Sequence, residues 1–201
     1  MSKTKPKAII VGIKGEVRCQ DKSLKPSWDE YFMDMTYFVA QRSIDPSTKC
    51  GCVAVSEDKS VLSMGYNSPP RNCHDDWIPL ERPEKYPYFV HAEENTMLNA
   101  ARHGIALKDS TFYITGYPCS RCFRGMVNVG VKKIIYGPNR AVMLDEEEEK
   151  IINLLNKSSE GSTNIRFQPY RGIVGKVHEL TRQYMEKKLE SCIIDTENID
   201  S

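Results

Sequence analysis

Two short segments of the chain carry residues that together can bind one metal ion and move protons. His91-Ala92-Glu93 offers an imidazole and a carboxylate, and Pro118-Cys119-Ser120-Arg121-Cys122 offers two thiolates close enough to reach the same metal. The histidine and the two cysteines leave the fourth position of a tetrahedral zinc open to water, as a catalytic site requires. Glu93 is not needed as a ligand, and we therefore expect it to be the general acid and base.

The combination of these segments is more specific than either one alone. A lone C-x-x-C can be a redox pair or half of a structural zinc site, and a lone histidine on a helix is most often a packed residue. The joint order matches the H-x-E…P-C-x-x-C signature of zinc-dependent nucleobase deaminases. The sequence therefore predicts a catalytic zinc with one acid–base carboxylate.

The elements that must position these segments are predicted from the surrounding residues. Apolar spacing predicts a helix over 91–103, and β-branched and aromatic residues predict a strand over 110–115. A second helix is predicted from about 119 to 129, followed by a strand over 131–136 that Gly137-Pro138 closes. Both ligand segments would then begin helices, whose N-terminal N–H groups favour thiolates.

The rest of the chain predicts further elements around this centre. Ser27-Trp28-Asp29-Glu30 has the spacing of a capping box for a helix to about residue 43. Four apolar residues fall on one stripe of that helix: Tyr31, Met35, Phe38 and Val39. Other predicted elements are an edge strand within 7–17, strands 50–56 and 61–66, a loop 67–87, a helix from the acidic run 145–149 through 155, a strand 165–167 and a helix 174–191. This order predicts an α/β protein with three α/β/α layers and a mixed sheet of roughly five strands.

The chain is predicted to form one domain with an extension at each end. We expect an N-terminal extension at 1–26, the metal-binding domain at 27–170, and a C-terminal helical extension at 171–201 that packs on the same domain. The 28 basic and 27 acidic residues give a net charge of +1, which lacks the excess expected of a general nucleic-acid binder. No run approaches the ~18 apolar residues of a membrane span, and no secretory signal is recognisable, so a cytoplasmic location is predicted.

The seven cysteines indicate a reducing compartment. Cys50 and Cys52 are expected to be small buried residues on opposite faces of a strand. Cys73-His74 suggests a second zinc site completed by Cys19 or Cys50, although these residues lack a recognised ligand spacing.

Between about residue 31 and residue 138 the chain resembles the deoxycytidylate (dCMP) deaminases of the zinc-dependent cytidine deaminase superfamily. Besides the zinc motif, the resemblance is carried by 40–46 (AQRSIDP), by Gly65-Tyr66-Asn67 followed by Pro69-Pro70, by Lys85-Tyr86-Pro87-Tyr88 and by 130–136. The resemblance implies the three-layer cytidine-deaminase-like fold. It also implies hydrolysis of dCMP to dUMP and ammonia, a reaction that supplies thymidylate synthesis.

Five residues are candidates for contacts with the nucleotide, two of them in the 40–46 segment that resembles the phosphate-side segment of the family. Arg42 and Ser43 would bind the 5′-phosphate, Asn67 and Asn95 would contact the sugar or another part of the nucleotide, and Tyr136 would face the pocket. A purely structural role is the alternative for each of them, since Arg and Ser near a helix end often only cap it.

A regulatory site is implied as well, with dCTP as activator, dTTP as inhibitor and Mg²⁺ accompanying the triphosphate. Gly65-Tyr66-Asn67 would belong to the activator site, and Asn99 and Arg102 would transmit the signal between the subunits of a hexamer. The chain departs from the family at Ser68, where the family has glycine, and at Phe123, where a small residue is usual.

Three other functions fit the zinc motif. A deaminase of a polynucleotide, such as transfer-RNA adenosine or DNA cytosine, shares the motif but disagrees with the near-neutral charge, and its binding would weaken steeply with salt. A nucleobase or nucleoside deaminase would not require the 5′-phosphate. A non-enzymatic zinc protein would have no use for Glu93.

Overall fold

A five-stranded mixed sheet forms the centre of the computed structural model, which describes residues 25–139, 146–158 and 164–196, with side chains up to residue 186. The strands are β1 (Gly51–Val55), β2 (Val61–Tyr66), β3 (Thr111–Gly116), β4 (Lys133–Asn139) and β5 (Arg166–Pro169). Their order is β2-β1-β3-β4-β5, with β1 antiparallel to both neighbours and β3, β4 and β5 parallel. The predicted mixed sheet is confirmed, whereas the strand predicted within 7–17 lies outside the described residues.

Helices cover both faces of this sheet. They are α1 (Trp28–Ala40), α2 (Ala92–Arg102), α3 (Ser120–Asn128), α4 (Glu146–Ser158) and α5 (Lys176–Thr196). Helix α1 packs on one face through Phe32 and Met33. Helices α2, α3 and α4 pack on the other, through residues such as Ala92, Met126 and Ile152. The three-layer architecture is thus confirmed. None of the described helices combines the length and apolar character that crossing a bilayer requires.

Helix α1 packs on the sheet through a different face from the one predicted. The stripe prediction is wrong at Phe38, which is 78% exposed, whereas Phe32 is buried. The reason is the close approach of α1 to β1, because a Cβ at Gly51 would collide with the carbonyl oxygen of Thr36. A helix this near the sheet must turn smaller residues, Thr36 and Ala40, towards it.

Strand β4 continues past the point where the sequence predicts its end. It runs through Gly137-Pro138, because a register shift against β3 lets Asn139 pair with Gly116 beyond the proline. The longer strand brings Asn139 to the same pocket as His91.

Helix α2 lies unusually close to β2, and Gly65 permits that approach. A Cβ at this position would lie 2.6 Å from the carbonyl oxygen of Ala92 and 2.6 Å from the amide nitrogen of Thr96. Only a residue without a side chain fits there unless the helix moves. The glycine therefore fixes the first turn of α2, which directly follows His91.

The start of α5 is held against α1 by polar contacts. The Asp34 carboxylate of α1 accepts hydrogen bonds from the backbone N–H groups of Gly175 and Val177, each at 2.6 Å. Lys176 forms an ion pair with Glu30 at 2.9 Å. An acidic side chain of one helix thus satisfies amide donors at the N-terminus of another.

Cys50 and Cys52 lie on the same side of the sheet, where both belong to the apolar cluster beneath α2 and α3. The expectation of opposite faces is wrong, because residues two apart in an extended chain point the same way. Burial, and then the neighbouring Glu93 carboxylate, raise the pKa of the Cys52 thiol and that of Cys50, the latter to about 11.

Candidate active site

The three predicted metal ligands converge at the starts of two helices. His91 is the N-cap residue of α2 and Cys119 is the N-cap residue of α3, as the sequence predicts. The His91 Nδ1 atom lies 3.5 Å from the sulfur of Cys119 and 3.5 Å from that of Cys122. All three donor atoms lie within 4.8 Å of one another.

This donor set fits zinc in both chemistry and spacing. Zinc in proteins takes thiolates at ~2.3 Å and imidazole at ~2.1 Å, so a sulfur and a nitrogen on a tetrahedral ion stand about 3.5 Å apart. Within the described part of the chain, His91, Cys119 and Cys122 form the only such group of three. The second site suggested by Cys73-His74 gains no support there, because Cys73 is exposed and the His74 ring packs on Trp77. Cys19 lies outside the described residues.

The interaction between the two thiols moves their pKa values in opposite directions. Interaction with the Cys122 thiol and with the His91 ring lowers the pKa of Cys119 well below that of an ordinary thiol. The same interaction raises the pKa of Cys122, and contact with Cys119 raises the pKa of His91. Cys119 therefore loses its proton first, and metal binding would displace the protons that remain.

Glu93 is the buried carboxylate of the site. It lies in the first turn of α2, is 7% exposed, and lines the same pocket as His91 and Cys119. Burial raises its pKa above that of an ordinary glutamate. A carboxyl group tuned in this direction is suited to accept and return a proton near neutral pH.

We call the cavity around these groups the metal pocket. Its walls come from the segment after α1, the long loop before α2, and the ends of β3 and β4. Besides His91, Glu93 and Cys119, its lining includes Asp45, Thr48, Cys50, Asn67, Arg82, Lys85, Phe89, Tyr117 and Asn139.

A buried ion pair supports one wall of the metal pocket. Lys85 Nζ lies 2.5 Å from Asp45 Oδ1, and the two side chains are 3% and 7% exposed. Burial alone would raise the pKa of Asp45, but the Lys85 ammonium and two backbone N–H groups outweigh it and leave the pKa lowered. Asn67 completes the wall, since its amide donates to Asp45 Oδ2 and accepts from the Cys50 N–H at 2.8 Å.

The five residues predicted to contact nucleotide do not all come together. Asn67 lines the metal pocket, whereas Arg42 and Asn95 line a different cavity. Ser43 is buried and donates to the Asn67 carbonyl at 2.7 Å. Tyr136 packs edge-on against Tyr117 and is not part of the pocket lining.

The sequence does not predict that two cationic side chains line the metal pocket. Arg82 and Lys85 lie in a loop whose irregular backbone gives no periodicity from which a facing direction can be read. The K-Y-P-Y resemblance includes Lys85, but nothing in it indicates a lysine buried against Asp45. Pairing of this kind becomes visible only in three dimensions.

The other cavity, which we call the second pocket, adjoins the metal pocket across residues 65–68. Its lining includes Arg42, Gly65, Tyr66, Ser68, Arg71, Asn95 and Asn99. Asn95 donates to the Tyr66 carbonyl at 2.8 Å and to Ser68 Oγ at 3.2 Å. Asn99 donates to the Met64 carbonyl and accepts from Arg71. Arg102 is exposed one turn further along α2 and is not in this lining.

Comparison with known proteins agrees with this arrangement. Residues 26–138 match the model of a protein family described as the cytidine and deoxycytidylate deaminase zinc-binding region. The chain is 32% identical over 160 residues to the deoxycytidylate deaminase of Mus musculus, spanning 77% of this chain and 87% of that protein. It is 33% identical over 127 residues to that of Homo sapiens, spanning 60% and 70% of the two chains.

A solved structure shares the fold. The dCMP deaminase of the cyanophage S-TIM5, in complex with dCMP and dUMP, superposes with a TM-score of 0.61 at 23% identity. The match covers 73% of this chain and 98% of that chain. At this identity the similarity concerns the architecture.

Proposed function

The chain belongs to the zinc-binding family of cytidine and deoxycytidylate deaminases, and on that premise we propose that it hydrolyses dCMP to dUMP and ammonia. The observation that carries the proposal is the buried Glu93 carboxylate in the pocket of His91 and Cys119. The name of the murine relative supports dCMP as the substrate.

In this reaction the oxygen of water replaces the amino group at C4 of the pyrimidine. His91, Cys119 and Cys122 would hold zinc, which when bound supplies a water of lowered pKa. The Glu93 carboxylate takes a proton from the attacking water and delivers it to N3 of the base. The same carboxylate then takes the remaining proton from the new C4 hydroxyl and passes it to the amino group, which leaves as ammonia while the C4 carbonyl forms.

We assign recognition of the 5′-phosphate to Arg82. Lys85 is the other cation in the metal pocket, and its charge is compensated by Asp45. Arg82 is exposed and donates to Thr48 Oγ1 at 2.9 Å, and no carboxylate among the described residues pairs with it. A guanidinium at the mouth of a pocket suits a phosphate. This assignment replaces Arg42 and Ser43, which lie outside the metal pocket.

We further propose that the second pocket is the effector site. Its lining contains two arginines and several amides, which suit a triphosphate and a base. Gly65 and Tyr66 face it, as does Asn99, whereas Asn67 faces the metal pocket. Activation by dCTP with Mg²⁺, inhibition by dTTP, a hexameric assembly, a cytoplasmic location and supply of thymidylate synthesis are part of this proposal.

The test is ammonia release and loss of cytosine absorbance with dCMP, deoxycytidine, dCTP and a cytosine-containing single strand, each with and without dCTP or dTTP as effector. We expect turnover of dCMP, raised by dCTP and lowered by dTTP. Turnover of the strand alone would refute the small-substrate proposal.

The Glu93→Gln variant isolates the role of the carboxylate. We expect it to bind zinc as the unaltered chain does and to lose at least ~10²-fold in kcat, because the amide cannot shuttle protons. Glu94→Gln is the matched control, since Glu94 pairs with the exposed Arg121 at 3.6 Å and is not in the pocket lining. Full activity in Glu93→Gln would exclude Glu93 as the acid and base.

A further inference from the structure

The helix that carries both metal cysteines does not cap its own N-terminus. The Cys119 side chain makes no capping hydrogen bond, and the first turn of α3 contains no acidic residue. It contains Arg121 instead, whose positive charge is unfavourable at a helix start. The free N–H groups of this turn therefore need an acceptor from elsewhere in the fold.

Glu148 of α4 supplies that acceptor. Its Oε2 atom lies 2.6 Å from the backbone nitrogen of Ser120, the residue that follows Cys119 and begins α3. Glu148 is half-buried, whereas its neighbours Glu147 and Glu149 in the acidic run are exposed. The acidic run as a whole is explained by the solvated start of α4. The Glu148 carboxylate differs from its neighbours because it faces α3.

The packing of α4 directs Glu148 to this position. Ile152 follows four residues later on the same face of α4 and is fully buried in the cluster that contains Cys122 and Phe123. The apolar contact sets how α4 lies on α3, and the carboxylate one turn earlier then meets the start of α3. Glu148 is thus positioned beside the metal ligands by the packing of Ile152, and it contacts the start of α3 through the hydrogen bond from Ser120.

We propose that Glu148 is a positioning residue for the metal thiolates. By accepting from the Ser120 N–H it holds the first turn of α3, and this turn sets the directions of the Cys119 and Cys122 sulfurs towards His91. A charge-assisted hydrogen bond at a helix start is stronger than a neutral one. The proposal rests on the proposed function only in taking zinc as the metal, and it is independent of the identity of the substrate.

The first test measures zinc affinity by competition with a chromophoric chelator. We expect Glu148→Ala to weaken zinc binding about 10- to 100-fold, the range found when a residue that orients metal ligands is removed. Glu147→Ala is the matched control and should bind zinc as the unaltered chain does. Glu148→Gln retains an acceptor oxygen and should fall between the two, and it replaces the alanine variant if that variant does not fold.

A second variant separates the hydrogen bond from general effects on α4. Ser120→Pro removes the N–H, and Cys119 already has the extended backbone that precedes proline, with φ −77° and ψ 163°. In the Ser120→Pro background the change Glu148→Ala should have no further effect on zinc affinity. An equal loss in both backgrounds would refute the proposal.

Cobalt provides a readout of ligand geometry that does not depend on turnover. The Co²⁺-loaded chain should show thiolate and d–d absorption bands that shift in Glu148→Ala and remain unchanged in Glu147→Ala. Identical spectra and identical zinc affinities in these two variants would assign Glu148 to α4 alone and overturn its role at the metal. Because zinc affinity is measured without substrate, absence of dCMP turnover would leave this result intact.

Discussion

The metal pocket and the second pocket share the wall formed by residues 65–68 but are built from opposite kinds of contact. Three polar residues of the metal pocket, Asp45, Asn67 and Lys85, are buried and bound to one another or to backbone. In the second pocket the pair of Arg71 and Asn99 is exposed. We therefore expect this buried part of the metal pocket to be rigid before any ligand binds, and the Arg71–Asn99 pair to reorganise at small energetic cost.

The largest expected difference between the pockets concerns their charged residues. Lys85→Met should lower the free energy of unfolding by about 3–5 kcal/mol, because it leaves the Asp45 carboxylate buried without its counter-ion. Arg71→Met, in the second pocket, should cost less than ~1 kcal/mol. Denaturant unfolding of both variants measures the contrast. Adding Asp45→Asn to Lys85→Met should restore part of the stability, and equal losses in the two single variants would contradict the comparison.

A second contrast concerns the phosphate groups that Arg82 and Arg71 recognise. Arg82→Gln should lower kcat/KM for dCMP about 10- to 100-fold, the loss of one charged hydrogen bond worth ~1.5–3 kcal/mol. The kcat/KM for deoxycytidine, which lacks the phosphate, should not change. Arg71→Gln should leave this preference intact and weaken activation by dCTP instead. Loss of phosphate preference in Arg71→Gln would reverse our assignment of the two cavities.

The shared wall is tested at Gly65. Gly65→Ala should lower stability by about 1–3 kcal/mol, because the added Cβ meets the backbone of α2 and the helix must shift. Since His91 caps the start of α2, zinc affinity and the response to dCTP should fall together. Met64→Ala, at an exposed neighbouring position in the same strand, is the control for both measurements. A change in the dCTP response alone would show that α2 does not link the two cavities.

The smallest expected effect is the dependence of the free energy of unfolding on pH through Asp45. The native pKa of Asp45 is lowered, so its carboxylate stabilises the fold above the unfolded value of ~3.9 and loses that contribution as pH falls through the native value. The stability difference between the unaltered chain and Asp45→Asn should be constant above about pH 5 and narrow below pH ~3.9. Urea unfolding at several pH values measures it, and a difference that grows in acid would contradict the lowered pKa.

Sequence reasoning identifies the metal centre because chelation restricts both residue type and spacing. Few residue types can replace the imidazole of His91 and the thiolates of Cys119 and Cys122 as zinc ligands. Strand and helix periodicity further indicates that the starts of α2 and α3 meet. The face of α1 was missed because it depends on how closely the helix approaches Gly51. Arg42 and Arg82 cannot be distinguished along the chain, because their cavities are separated by the fold. Glu148 lies among similar residues, and only the docking of α4 distinguishes it.

The contact of Asp34 with the start of α5 has a consequence for how the molecule folds. The Asp34 carboxylate meets Gly175 and Val177 across 141 and 143 positions of the chain. Contacts between such distant residues require a large loop to close, so we expect them to form late in folding. Until they form, a carboxylate of α1 remains hydrated at a position where α5 will later cover it. Pulse-labelling hydrogen exchange during refolding should therefore show the Gly175 and Val177 amides becoming protected after the amides of the central sheet.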